Sequence, residues 1–183
     1  MTFLPEFELT VLNGFIPFGI YLILFFITVL TFSKDAKKRL YAQTFYSKKQ
    51  KIFTIIRKLL ALVAIITFMF SPLKIYGWPF FVGLVLFIIG LVGLTVSLVT
   101  YKKAPLNEPI TSGLYSMSRN PQILSIWIIF LAISFMIQSI LVVLVVLMMG
   151  FFTHWGILAE EQACEKLYGK SYKEYLRKVP RYM

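Results

Sequence analysis

The sequence predicts an all-α integral membrane protein with five transmembrane helices, the last two a tight hairpin, and an interfacial C-terminal amphipathic helix. Three observations carry this fold class. Apolar residues make up 58% of the 183 and charged residues 15%, with a mean hydropathy of +0.78, far from the composition of a soluble domain. Nearly uncharged runs of about 20 residues are long enough to cross a hydrocarbon layer of roughly 30 Å as helices. The basic residues also alternate with those runs, so that eighteen of the nineteen Lys and Arg fall on one side of a five-span chain.

The elements follow in order. The first span covers about Asn13–Phe32; the stretch before it holds Glu6 and Glu8 but no Lys or Arg, and its apolar run is too long for a cleaved signal peptide. The connection Ser33–Thr54 is basic yet carries Leu40, Tyr41, Phe45, Tyr46 and Phe53. It either lies among lipid headgroups or is a solvated connector that fixes orientation. A second span runs about Ile55–Ser71 and a third about Pro79–Thr100. In the third, Gly83, Gly90 and Gly93 share one face and read as a close helix contact. The apolar stretch Ile123–Gly156 would reach roughly 50 Å as one helix, so it folds into two, with a turn near Met136–Ile140 where Gln138 and Ser139 interrupt it. Beyond Glu161, residues Cys164, Leu167, Tyr168, Tyr172, Tyr175 and Leu176 recur at three- and four-residue steps. That pattern is an interfacial helix, broken at Gly169 and ended by Pro180.

Charge then sets orientation and narrows the partners. The positive-inside rule puts the N-terminus outside and the C-terminus in the cytoplasm. The net charge of +11 is confined to one membrane face, which points to the lipid bilayer as partner and away from nucleic acid. Cys164 is the only cysteine, and no Cys/His cluster has the spacing of a metal site, so no metal is expected. No repeat or Gly/Ser-rich linker divides the chain, which reads as one domain over 1–183.

The residues able to carry chemistry lie in the last third. In Arg119-Asn120-Pro121, Asn120 suits a helix N-cap and Pro121 the first helical position. Arg119 beside that helix start makes an anion site. Glu160 and Glu161 follow a nearly uncharged span; they either end it in water or face a ligand, since carboxylates kept at membrane depth are candidates for function. His154 stands two turns before Glu161 on the same face and either bonds a neighbouring carbonyl or meets ligand. Together, Arg119 and the two glutamates suit a small zwitterion with a positive centre.

The same residues resemble the integral membrane methyltransferases typified by isoprenylcysteine carboxyl methyltransferase and the phospholipid methyltransferases. Thr111-Ser112-Gly113-Leu114-Tyr115 followed by Arg119-x-Pro121 is similar to that family's T-S-G-x-Y-x-x-x-R-H-P motif. Glu160-Glu161, Tyr168-Gly169-x-x-Tyr172-x-x-Tyr175 and Val179-Pro180-Arg181 are similar to its E-E, F-G-x-x-Y-x-x-Y and V-P-R pattern. The resemblance covers residues 110–183, and implies that they bind S-adenosylmethionine and transfer its methyl group to a lipophilic acceptor arriving from the bilayer. It implies Gly113, Leu114, Tyr115, Arg119, Asn120, Glu160 and Glu161 as cofactor-binding residues, with Arg119 and Asn120 the catalytic candidates.

The chain departs from the family pattern at three places. Asn120 stands where the family has His, Ile123 replaces a Tyr, and Gly156 lies where relatives carry Arg. These departures keep a second reading open, a catalytically silent relative serving as a membrane scaffold or binding subunit. The acceptor stays open too, among a lipid amine, a prenylated carboxylate and a thiol.

Overall fold

The computed structural model describes residues 1–40 and 47–182. Helices account for the regular structure: α1 Phe15–Leu30, α2 Lys34–Leu40, α3 Lys48–Phe70, α4 Gly77–Lys103, a 3₁₀ turn Gly113–Ser116, α5 Pro121–Ile137, α6 Ile140–Tyr168 and α7 Lys170–Lys178. No strand forms among the described residues.

Helices α3, α4 and α6 are long and apolar enough to cross a membrane. Helices α1 and α5 are apolar but have 16 and 17 residues, about 24–26 Å at 1.5 Å per residue. Hydropathy alone does not reveal this inequality, because the apolar runs continue past the helix ends into Thr31-Phe32 and the turn at Gln138. Tyr41, Phe45 and Tyr46, on which the headgroup reading of the first connection rests, lie outside the described residues. After them Ser47 starts α3 with a capping box shared with Gln50, satisfying two helix-end donors reciprocally.

Helix α5 is the centre of the bundle. It touches α1, α3, α4 and α6, and none of its large apolar side chains is exposed. The surrounding helices instead expose residues such as Ile23 and Phe26 of α1, Leu59 of α3, Phe81 and Val85 of α4, and Leu147 of α6. That outward apolar surface is the pattern of a chain solvated by lipid. Close approach of α4 to α5 requires the predicted glycine face. A Cβ on Gly83 would stand 2.7 Å from the Ala132 carbonyl oxygen, and one on Gly90 would stand 2.6 Å from Ile129. On the α6 side the Trp127 indole fills the space beside Gly150 and donates to the Val146 carbonyl at 2.9 Å.

The α5–α6 turn falls at Gln138–Ser139, inside the expected window. Gln138 adopts φ +60°, unfavourable for a side-chain-bearing residue. Its amide holds the turn by donating to the carbonyls of Lys74 and Tyr76 at 3.0 and 2.6 Å. The N-terminal residues lie across the same end: Thr2 N–H donates to Gln138 O, while Ile140 and Leu141 N–H donate to Thr2 O and Phe3 O, all within 3.0 Å.

The C-terminal amphipathic segment divides differently from the expectation. No helix breaker occurs between Ile140 and Tyr168 apart from two tolerated glycines, so α6 runs unbroken through Glu160 and Glu161 for 29 residues. Only Gly169, at φ +57°, ends it. The separate amphipathic helix is therefore the nine-residue α7, folded back toward the start of α5.

Candidate functional site

Where α6 overhangs the start of α5, the chain must close the gap with the 3₁₀ turn and α7. Gly113 opens that turn at φ +59°, and a Cβ there would stand 2.9 Å from the Thr100 hydroxyl, so both conformation and space favour glycine. The turn buries Tyr115, whose carbonyl accepts the Tyr175 hydroxyl at 2.6 Å and so docks α7. The chain then passes under the C-terminal residues. Arg119 N–H donates to Pro180 O at 3.1 Å, and the buried Ser118 hydroxyl donates to Arg181 O at 3.1 Å.

Glu161 is the hub of this layer. Arg119 Nε lies 3.0 Å from its Oε1, both side chains about nine-tenths buried, though the approach is not aligned as a hydrogen bond. Arg181 donates twice to the single oxygen Oε2, through Nε and Nη2 at 3.0 and 2.8 Å, two charge-assisted hydrogen bonds. Arg119 Nη1 also donates to Leu176 O at 3.1 Å. Glu161 in turn holds Arg181 charged beyond the ordinary arginine range, chiefly by that hydrogen bond.

Asn120 occupies the N-cap position of α5 but its side chain makes no cap, contrary to the sequence expectation. Its amide instead donates toward Glu161 Oε1 and Arg181 O, both at 3.4 Å. The charged network outcompetes the helix-end amides, and Pro121, which has no N–H, already relieves one of them.

Above this layer lies a cavity of about 400 Å³, within the range that holds cofactor-sized ligands. Its walls include Tyr115, Arg119, Asn120, Glu160 and Glu161, five of the seven residues singled out in the sequence. Gly113 and Leu114 are not among the lining residues. His154 is also elsewhere, with Nδ1 2.8 Å from the Tyr182 hydroxyl. Glu160, unlike its buried neighbour, is exposed, lines the cavity and has no hydrogen-bond or ion-pair partner among the described residues. Burial pushes the phenols of Tyr115, Tyr172 and Tyr175 up, that of Tyr175 to about 12, so all three face the cavity neutral.

The end of an apolar helical bundle thus carries a cavity lined by charged side chains. Residues 78–171, just over half of the chain, match the family model described as phospholipid methyltransferase. The chain belongs to that family. No curated protein matches it. Family membership brings α4 into the matched unit, where the motifs had reached back only to residue 110, and it stops short of Val179-Pro180-Arg181.

Several wall residues escaped the sequence reading. Arg39 and Arg57 were counted only as orientation charges; Arg57 fell just inside the start of the expected span Ile55–Ser71, whereas α3 begins nine residues before it. Arg39 donates to the carbonyls of Pro105 and Glu108 at 2.8 and 3.0 Å and lies over the rings of Tyr101 and Tyr168. Gln122 gave no signal; Arg181, which backs Glu161 and does not line the cavity, was visible only within the V-P-R pattern.

Proposed function

We propose that this protein uses S-adenosylmethionine to methylate a membrane-soluble acceptor at the cytoplasmic face of the bilayer. The observation that carries this reading is the unpaired Glu160 carboxylate in a cavity that also presents the guanidinium of Arg119. A zwitterion with a positive centre fits such a wall. The fit extends to the side-chain amide of Gln122, a buried donor without a partner in the cavity lining, which suits a carboxylate or hydroxyl oxygen of a ligand.

In this reading Glu160 receives the cofactor's cationic groups. Arg119 directs its remaining donors toward the carboxylate, having committed Nη1 to Leu176 and turned Nε to Glu161. Glu161 holds Arg119 in place, and Asn120 acts on it only through Glu161. Bound S-adenosylmethionine supplies an electrophilic methyl group on its sulfonium. Ile110, Ile123, Leu167 and the tyrosines of the wall exclude water and align the acceptor, the contributions by which proximity accelerates transfer between two substrates. Five spans serve this reading, with α1 and α5 as short ones. The cytoplasmic orientation rests on eighteen basic residues at the cavity end. The remaining one, Lys74, is paired at 2.7 Å with Glu6.

Isothermal titration of the purified protein with S-adenosylhomocysteine tests the cofactor, with saturable binding expected. Transfer of a radiolabelled methyl group from S-adenosylmethionine into a membrane-lipid extract tests the reaction. Absence of both signals in folded protein overturns the reading.

A further inference from the structure

Three guanidiniums, on Arg39, Arg57 and Arg119, line the cavity against two carboxylates, on Glu160 and Glu161. Arg181 adds a fourth positive charge from behind Glu161. The proposed cofactor has an ammonium, a sulfonium and a carboxylate, hence a net positive charge of its own. Cofactor and wall together leave positive charge uncompensated, and the remaining reactant is the acceptor.

The positive groups are not equally engaged. Arg119 and Arg181 are committed to Glu161, and Arg39 is committed to two carbonyls and two tyrosine rings. Arg57 makes no hydrogen bond or ion pair among the described residues, and its buried Nε is without a partner. It lies in α3, a helix apolar enough to span the membrane, and three residues after Thr54, which faces inward. The Glu160 carboxylate acts on this guanidinium across the cavity but does not reach ion-pair distance, and a guanidinium so placed gains from an anion that makes direct contact. Arg57 also lies outside residues 78–171, so the family segment does not supply it.

We propose that Arg57 is a specificity-determining residue whose guanidinium holds an oxyanion, phosphate or carboxylate, of an amphiphilic acceptor inside this cavity. The proposal rests on the methyl-transfer reading above. It assigns to α3 the choice of acceptor, and to α5, α6 and α7 the cofactor. Apolar chains of the acceptor then lie along the outward faces of the bundle, with the charged group drawn to the wall.

Cys164 supplies the reporter, because the only cysteine of the chain lines the same cavity. The rate at which N-ethylmaleimide alkylates it at one fixed pH is measured on the full chain in maltoside micelles. The probes are dodecyl phosphate, dodecanoate, dodecanol, inorganic phosphate and, separately, S-adenosylhomocysteine. At least one of dodecyl phosphate and dodecanoate is expected to slow alkylation, and which of them does so names the oxyanion. Arg57→Gln should weaken that protection about ten- to a hundred-fold, the effect of losing a charged hydrogen bond. Arg57→Lys should fall between. Protection by S-adenosylhomocysteine should be the same in all three proteins.

Equal protection by dodecanol, or undiminished protection in Arg57→Gln, overturns the proposal. Equal protection by inorganic phosphate also overturns it, because the site then takes a free anion and not an acceptor. If Arg57→Gln does not fold, the ranking of the four acceptor probes on the natural protein and on Arg57→Lys decides. S-adenosylhomocysteine failing to protect any variant removes the cofactor reading alone, since the amphiphile series is scored independently of it.

Discussion

The two ends of the helical bundle are built from different materials. At the end that carries the N-terminal residues, the turns Ser71–Tyr76 and Gln138–Ser139 are joined by main-chain hydrogen bonds and one Gln138 amide. A single charge pair, Lys74–Glu6, sits at its edge with Glu6 mostly exposed. At the other end, side chains do the joining: Glu161 gathers Arg119, Asn120 and Arg181, and beside them Glu160, Arg57 and Gln122 keep groups unmatched. The difference shows which end keeps charged side chains available, and it is the end to which the proposed function assigns the ligand. Backbone hydrogen bonds and the buried Asn13 amide close one end, where, among the described residues, only the small Ser71 hydroxyl lacks a partner, whereas charged side chains with unsatisfied members leave the other chemically open.

The sharpest way to break this comparison is to remove one charge from each end. Glu161→Ala strands two guanidiniums, and losing one partner of a buried pair costs about 3–5 kcal/mol. Glu6→Ala leaves the buried Lys74 ammonium unpaired, but beside a site already half open to water, and should cost less than Glu161→Ala. Denaturant unfolding in micelles reads both, and equal midpoints for the two variants would show that the ends do not differ.

The second test compares binding within one face. Arg119→Ala should weaken S-adenosylhomocysteine by about ten- to a hundred-fold, while Lys38→Ala, exposed on α2, should leave calorimetric affinity unchanged. Loss of affinity in both would move the effect from the cavity to the general charge of that face.

A smaller effect is expected at Asn120, whose amide reaches only long contacts. Asn120→His should change cofactor affinity by less than about tenfold, with methyl transfer present in both proteins between about pH 6 and pH 9. If transfer appears only in the His variant, with a titration in the histidine range, the natural protein is a silent relative.

The smallest expected effect concerns pH. Burial raises the Tyr175 phenol to about 12, above the ordinary value near 10, so the neutral form is favoured by folding. Its contribution is complete below about pH 10 and is lost as pH rises toward 12. Absorbance titration of natural protein against Tyr175→Phe should therefore differ only in strong alkali; a Tyr175 transition near pH 10 would show an open cavity end.

Much of this contrast was legible in the sequence, for reasons that can be located. The α5–α6 turn could be read because Gln138 and Ser139 interrupt thirty-four apolar residues, and the α4 glycines because they share a helical face. The pairing of opposite charges was legible from Arg119 and Glu161 at neighbouring helix mouths. The missing parts depend on contacts distant along the chain. Nothing local says that Thr2 will bridge to Ser139, or that Arg181 will return to Glu161. Nor does periodicity separate Arg57 on an inward face from the basic residues that merely orient the chain. Asn120 was misread for a related reason: a cap residue was judged by its own helix, while its partner came from another.

The shortness of α1 has a consequence for the surrounding lipid. Its outward face is apolar, yet 16 residues reach only about 24 Å, less than a hydrocarbon thickness of roughly 30 Å. A bilayer answers such hydrophobic mismatch by thinning beside the protein, at fractions of a kcal/mol per Å. The leaflet along α1 leads to α2, which carries Arg39 at the cavity wall, so local thinning lowers headgroups toward the cavity. Under the five-span, methyl-transfer reading proposed above, acyl-chain length becomes a control on the reaction: proteoliposomes of short-chain lipid should bring acceptor and wall to one level, and thick ones should hold them apart.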